Sequence, residues 1–175
     1  GFALCAKMIQ DRVYAKESLG MCDNTWPILM VEGSEDHVGD PSLESQIYRA
    51  VTGDETNEAG LQLAGECVFN LHRAILTREG REVDELPEFC HTKPVGGIYG
   101  NPEGMVPAPG EEVVYRKGAV LERTAFKNIM AEYYTLRGWQ PSSGRQTQTG
   151  LRKLGLDWVA PDLAARGLLA DETPA

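Results

Sequence analysis

The segment Glu17-Ser18-Leu19-Gly20-Met21-Cys22 puts a carboxylate, a glycine and a thiol side by side. A carboxylate in the last turn of a helix faces the partial negative charge of that terminus, so it wants a compensating donor. A thiol in an irregular loop just past a cap glycine is sterically open to a metal. Taken alone, the same six residues also suit a surface Glu and a buried Cys. Other candidates are weaker. Cysteines stand at 5, 22, 67 and 90 with no C-x-x-C pair, so neither a zinc knuckle nor a small disulfide framework is suggested. Cys90-His91 offers two ligand types, but adjacent residues rarely share one ion. Asp54-Glu55-Thr56-Asn57-Glu58-Ala59-Gly60 resembles the start of a calcium loop. Its glycine comes one position late and the twelfth position lacks Glu, so it reads as a helix N-terminus. Gly96-Gly97-Ile98-Tyr99-Gly100 reads as loop punctuation. His37 and His72 have no partner evident in the sequence. The G-x-S-x-G, G-x-x-x-x-G-K-[ST] and H-E-x-x-H patterns are absent.

Helices must carry these residues. Residues 2 to 19 form one, with Ala3, Ala6, Met8, Ile9, Val13, Tyr14 and Leu19 as its apolar face and Gly20 as its stop. Residues 21 to 27 are irregular, and 28 to 31 form a short apolar run. Asp40 and Pro41 read as N-cap and first residue of a second helix, with Leu43, Ile47, Ala50 and Val51 inward and Gly53 at its end. The clearest helix runs from about 56 to 79. Leu61, Ala64, Val68, Leu71 and Ile75 lie on one face, Gly60 and Gly65 allow close packing, and Gly80 stops it. Residues 81 to 118 read as a long wrapping loop, since nine of the eighteen residues from 93 to 110 are Gly or Pro. Only 113 to 115 look able to pair briefly as a strand. Residues 120 to 137 form another helix through Leu121, Phe126, Ile129, Met130, Tyr133 and Leu136. Short turns follow at 147–154 and 161–166. The fold class expected is all-α and multihelical, as one domain over 1–175.

Composition narrows the partners. The 175 residues carry 17 Lys+Arg against 26 Asp+Glu, a formal charge of −9. Phosphate recognition needs a basic face, so no nucleic-acid partner is expected. Residues 32 to 66 hold nine acids and one base, Arg49. Such a segment is usually a solvated face. It also suits a stand-alone helical interaction module that docks a basic partner. No apolar run approaches the ~20 residues that span a bilayer. No secretory pattern is seen and the thiols look reduced, so the expected location is cytoplasmic. The first residue is Gly1, which a trimmed tag or an excised fragment would both explain.

The order of several blocks says more. Glu17 to Cys22 resembles the D-x-x-G-L-C motif of the tungsten-containing aldehyde ferredoxin oxidoreductase family. Leu63-Ala64-Gly65-Glu66, then Asn70-Leu71-His72-Arg73-Ala74, then Arg78-Glu79-Gly80, resemble its A-G-E-R-x-x-N-L-x-R-x-x-N-x-R-E-G helix. Asp84-Glu85-Leu86-Pro87 is similar to its D-D-x-L-P. Glu132-Tyr133-Tyr134, with Arg137-Gly138-Trp139, is similar to its E-Y-Y-x-x-R-G-W. Thr147, Gly150, Leu151 and Leu154-Gly155-Leu156 are similar to its P-T-x-x-x-L-x-x-L-G-L. The blocks keep the family's order over residues 13 to 156.

The resemblance implies the C-terminal helical domain of a larger enzyme. In that family two pterin units hold tungsten or molybdenum, and a four-iron four-sulfur cluster takes three thiolates from the middle domain and one from the D-x-x-G-L-C cysteine. Cys22 is thereby the implied cluster ligand. Glu17 stands at a pterin-binding Asp, one methylene longer, and Met21 at the Leu whose backbone faces the pterin. Residues 1–30 become the cofactor-facing helix and loop. Trp26 suits either a shield for the cluster or ordinary core packing. The N-terminal and middle domains become partners, with ferredoxin or an electron-transfer subunit beyond them. The isolated piece is expected to be inactive and to bind no cofactor by itself, and no general acid or base is assigned to it. Cys67 replaces the family's Arg, and Ile75-Leu76 a more polar pair, which implies a divergent branch. Benzoyl-coenzyme A reductase subunits of the same family mark one such alternative to simple aldehydes.

Overall fold

A computed structural model of the chain describes residues 1–21, 35, 39–40, 42–81, 84–97, 100–110 and 112–172. Cys22, Trp26, the 28–31 run, His37 and Pro41 lie outside the described residues. The described part is helical with one small sheet. Its elements are α1 (Phe2–Ser18), α2 (Leu43–Thr52), α3 (Glu58–Arg78), α4 (Phe89–Thr92), β1 (Met105–Pro107), β2 (Val113–Tyr115), α5 (Arg123–Leu136), α6 (Gln148–Lys153), a 3₁₀ turn (Asp157–Val159) and α7 (Ala160–Ala165). No helix among them is long and apolar enough to cross a membrane.

Local chemistry sets the boundaries. Asn57 caps α3 by accepting Gly60 N–H at 3.0 Å, so 54–60 is a helix start. Glu122 caps α5 by accepting from Thr124 and Ala125 N–H at 2.9 and 2.7 Å. Thr147 caps α6 through Gly150 N–H. The second helix begins later than the Asp40-Pro41 pair predicts. Asp40 instead accepts from Ser42 N–H at 2.9 Å, and Ser42 stands at the N-cap. Within the long segment 81–118 the chain finds local order. α4 forms there, and β1 pairs antiparallel with β2, Met105 opposite Tyr115 and Pro107 opposite Val113.

The helices sit where periodicity places them, but several faces are reversed. α1 buries Ala3, Asp11, Ala15 and Lys16, while Phe2 (73% exposed), Met8 and Ile9 (57%) point outward. α2 buries Glu44 and Ser45 and leaves Val51 80% exposed. α3 buries Leu61, Gly65, Asn70, Arg73, Ala74 and Thr77, and its Ala64, Val68 and Ile75 face out. The reason is the partner each inner face meets. α1 crosses α3 at Gly65, where an added Cβ would lie 1.9 Å from the Asp11 carbonyl oxygen. Such close backbone contact leaves no room for large apolar side chains between the two helices.

Two apolar clusters complete the core. One joins Ala74 to Leu151, Leu156, Val159, Ala160 and Leu163, tying α3 to the C-terminal helices. The other joins Ala3, Tyr133, Tyr134 and Trp139, with Phe69, Ile129 and Met130 at its edge.

Candidate functional site

The C-terminal end of α1 carries the residues singled out for cofactor contact. The helix closes in a Schellman turn: Gly20 takes φ 70°, its N–H donates to Glu17 O at 3.0 Å, and Met21 N–H donates to Lys16 O at 3.2 Å. A residue with Cβ is strained at that φ, which explains the glycine. The Glu17 carboxylate is exposed, and the Lys16 ammonium lies 3.3 Å from it. Lys16 itself is buried, so a cation compensates the negative helix end. Met21 is half-buried, and its N–H is used by the turn. What it can offer a ligand is its carbonyl and thioether. Cys22 follows immediately but lies outside the described residues.

The donor chemistry of this end fits a pterin. A pterin ring presents N–H donors, and an exposed carboxylate beside a closed helix end is an acceptor for them. A cluster is different. Among the described residues no group of three or more His, Cys, Asp or Glu is placed to hold a metal ion. Cys67 is no substitute thiolate. Its Sγ–H donates to Leu154 O at 3.3 Å, and burial together with the Glu66 charge pushes its thiol pKa up.

The remaining motif blocks converge elsewhere, on a largely buried junction of α1, α3 and α5. The Arg137 side chain is fully buried there. Its guanidinium donates to Asp11, to Gln10 Oε1 at 3.0 Å and to Tyr133 Oη at 3.0 Å, and lies 4.1 Å from the Phe69 ring centre. Lys7 bridges Asp11 at 2.9 Å and Glu66 at 2.8 Å. Two acids and two bases thus neutralise one another inside a low-dielectric setting.

The junction continues through Trp139. Its indole N–H donates to Asn70 Oδ1 at 2.8 Å, and Gln146 Nε2 donates to the same oxygen at 3.1 Å. Arg73 stacks 4.8 Å over the Trp139 ring and donates to Asp84 at 2.8 Å and to Gly144 O at 3.1 Å. Tyr134 donates to the other Asp84 oxygen at 2.7 Å, and burial with that carboxylate pushes the phenol pKa strongly up. The residues in the A-G-E, N-L-x-R, D-E-L-P and E-Y-Y blocks therefore meet one another. They hold helices in place and leave little to offer a ligand.

Sequence reasoning missed Asp11, Gln146 and the partner of His72. The last is Tyr14, whose hydroxyl is hydrogen-bonded to His72 Nδ1 at 2.5 Å from the facing helix. Only tertiary structure joins residues that far apart in the chain. His91, adjacent to Cys90, uses Nδ1 on Leu121 O at 2.8 Å, which ties α4 to the start of α5. An open cleft of about 830 Å³ lies between α5 and the C-terminal loops, lined by Asp84, His91, Arg123, Lys127, Tyr134 and Arg145 among others.

Comparison with known proteins agrees with this architecture. A family model described as "Aldehyde ferredoxin oxidoreductase, domains 2 & 3" matches residues 1–156. Among solved structures, the chain is similar to "Active site complex BamBC of Benzoyl Coenzyme A reductase in complex with 1,5 Dienoyl-CoA". That match has a TM-score of 0.52 and 23% identity over 75% of this chain. This chain spans 16% of the length of that one. At that identity the likeness shows the fold.

Proposed function

Because the chain belongs to the aldehyde ferredoxin oxidoreductase family, we propose that it is the C-terminal helical part of a tungsten- or molybdenum-pterin oxidoreductase with a four-iron four-sulfur cluster. The single observation that carries this is the closed end of α1. It presents an exposed acceptor, Glu17, and closes at a Schellman glycine, Gly20, two positions before Cys22 in the sequence.

In this reading Glu17 accepts hydrogen bonds from pterin N–H groups, Met21 lines the same contact, and Cys22 gives one thiolate to the cluster. The metal and cluster supply the redox chemistry when bound, moving electrons between substrate and carrier. The chain's own part is positional. α1 is locked axially by the Gly65 crossing and by the Arg137–Asp11 pair, so Glu17, Gly20 and Met21 are held at a fixed place. The outward apolar faces of α1 and α3 favour coverage by the preceding domains of the same polypeptide, since exposed apolar stripes mark interfaces. Ferredoxin or a partner subunit would receive or supply the electrons. Aldehydes are the family's namesake substrates, and an acyl-coenzyme A reduction is the divergent option. Cys5, Cys67 and Cys90 are unpaired, which suits a reducing, cytoplasmic setting.

The test is composition. Full-length protein expressed anaerobically should contain pterin, iron, and tungsten or molybdenum. Glu17→Gln should lower pterin content while leaving iron in place. Protein that folds yet holds neither pterin nor iron would overturn the reading.

A further inference from the structure

Five aromatic rings form a continuous path from α1 to the open cleft. Tyr14 meets Phe69 edge-on with ring centres 5.0 Å apart. Phe69 stacks on Trp139 at 6.0 Å and 4°. Trp139 stacks on Tyr134 at 5.9 Å, with Tyr133 edge-on at 6.0 Å. Each end of the path is a phenol hydrogen-bonded to a base. Tyr14 Oη lies 2.5 Å from His72 Nδ1, which takes the phenol proton in the Nε2–H tautomer, and Tyr134 donates to Asp84 Oδ2 at 2.7 Å. Tyr14 sits one turn before Glu17, while Tyr134 lines the cleft.

We propose that this path is an escape route for oxidising equivalents, running from the cofactor-facing end of α1 to solvent at the cleft. It rests on the redox reading above. Oxidising a phenol at an accessible potential requires its proton to leave with the electron, so a phenol with a base already in place is the group that reacts first. The middle of the path lacks this. Trp139 N–H faces the Asn70 amide oxygen, which is no base, and the Arg73 guanidinium lies over its ring. Positive charge on Trp139 is therefore disfavoured, and Trp139 conducts without holding the hole.

The steps balance. A one-electron oxidant, of the class formed when oxygen species meet a reduced metal centre, takes one electron from Tyr14. The phenol proton moves to His72 Nδ1, leaving a neutral phenoxyl radical and an imidazolium. An electron from Tyr134 passes through Trp139 and Phe69 and refills Tyr14, which recovers its proton from His72. The Tyr134 proton moves to Asp84. A solvent reductant of the thiol or ascorbate class then supplies one electron to Tyr134 at the cleft, and Asp84 returns the proton. The net result is one electron from reductant to oxidant.

Full-length protein photo-oxidised with a ruthenium(III) polypyridyl complex tests the path by paramagnetic resonance. A Tyr115→Phe background removes an exposed competitor. The expected result is an early tyrosyl signal that Tyr14→Phe abolishes and His72→Gln weakens. Trp139→Phe should leave the Tyr14 radical long-lived because its refilling is blocked. Tyr134→Phe reads the same link if the tryptophan variant does not fold. An early signal unchanged in Tyr14→Phe, or a Tyr14 radical whose lifetime ignores Tyr134→Phe, would overturn the proposal. A second arm follows the four-iron signal under peroxide. Faster loss in Tyr14→Phe than in wild type supports protection, and equal rates overturn it. Absence of iron would sink the redox reading alone, since the radical measurement needs no cluster.

Discussion

The junction around Arg137 and the outer surface of α1 invert the usual arrangement. The junction is buried and polar: Asp11, Lys7, Glu66, Arg137, Arg73, Asn70 and Gln146 meet within the protein, interleaved with aromatic rings. The outer surface of α1 is exposed and apolar, with Phe2, Met8 and Ile9 toward solvent. A stand-alone domain gains stability by the opposite distribution. The contrast teaches that burial here follows pairing and close backbone contact rather than residue polarity. Most polar groups of the junction pair within the protein, with Arg73 Nε and Gln146 Oε1 the buried exceptions, whereas the apolar side chains on the α1 surface have no cover among the described residues. Acidic residues 32–66 do not explain the difference, because Glu44 is turned inward toward Arg12 at 3.2 Å, and Glu66 belongs to the junction.

The contrast can be broken most forcefully at Arg137. Arg137→Met strands Asp11 and Glu66 with only Lys7 between them, at an expected cost of about 3–5 kcal/mol, the range for breaking a buried ion pair. Denaturant unfolding of the full-length protein reads it, and adding Asp11→Asn should recover part of the loss. The helix crossing is next. Gly65→Ala drives a methyl into the Asp11 carbonyl, which is backbone, and should cost ~1–3 kcal/mol. Gly60→Ala meets only the Thr56 methyl, a side-chain atom, and should change stability by less than about 1 kcal/mol in either direction. Unfolding midpoints of the pair separate a true close approach from a tolerated glycine.

The outer surface sharpens the comparison from the other side. Ile9→Ser should leave the 175-residue chain within about 0.5 kcal/mol of wild type, as surface changes do. In the full-length protein it should cost ~1.5–3 kcal/mol, the value of burying such a side chain. Equal effects in both contexts would mean that the α1 surface stays open.

The smallest effect concerns pH. Backbone N–H groups of Thr124 and Ala125 hold the Glu122 carboxyl below the usual glutamate range, and Ser42 does the same for Asp40. A depressed folded-state pKa contributes stability that is present above the unfolded value and lost as pH falls through the folded one. Melting temperature should therefore fall on acidification below the ordinary carboxylate range. Glu122→Gln should flatten that dependence slightly and leave neutral pH nearly unaffected.

Much of the fold was legible because helix ends are local. Gly20, Gly53, Gly80 and Gly138 each take positive φ where a stop was expected, and Thr147 caps where the last motif begins. Burial was not legible. Periodicity shows that Ala64, Val68 and Ile75 share a face, but it cannot say whether that face meets this chain's core or another domain. The partners of Arg137 and His72 lie across the sequence, and no local pattern encodes them. The candidate site was readable only as residue types in a motif. The structure supplies the turn that presents Glu17 and Met21.

The most direct measurement is paramagnetic resonance with iron analysis on full-length, anaerobically prepared protein, comparing wild type with Cys22→Ser. The account predicts a four-iron signal in wild type that is lost or altered in a folded Cys22→Ser. An unchanged signal with unchanged iron content would make Cys22 an ordinary cysteine and contradict the placement of the cluster at the end of α1.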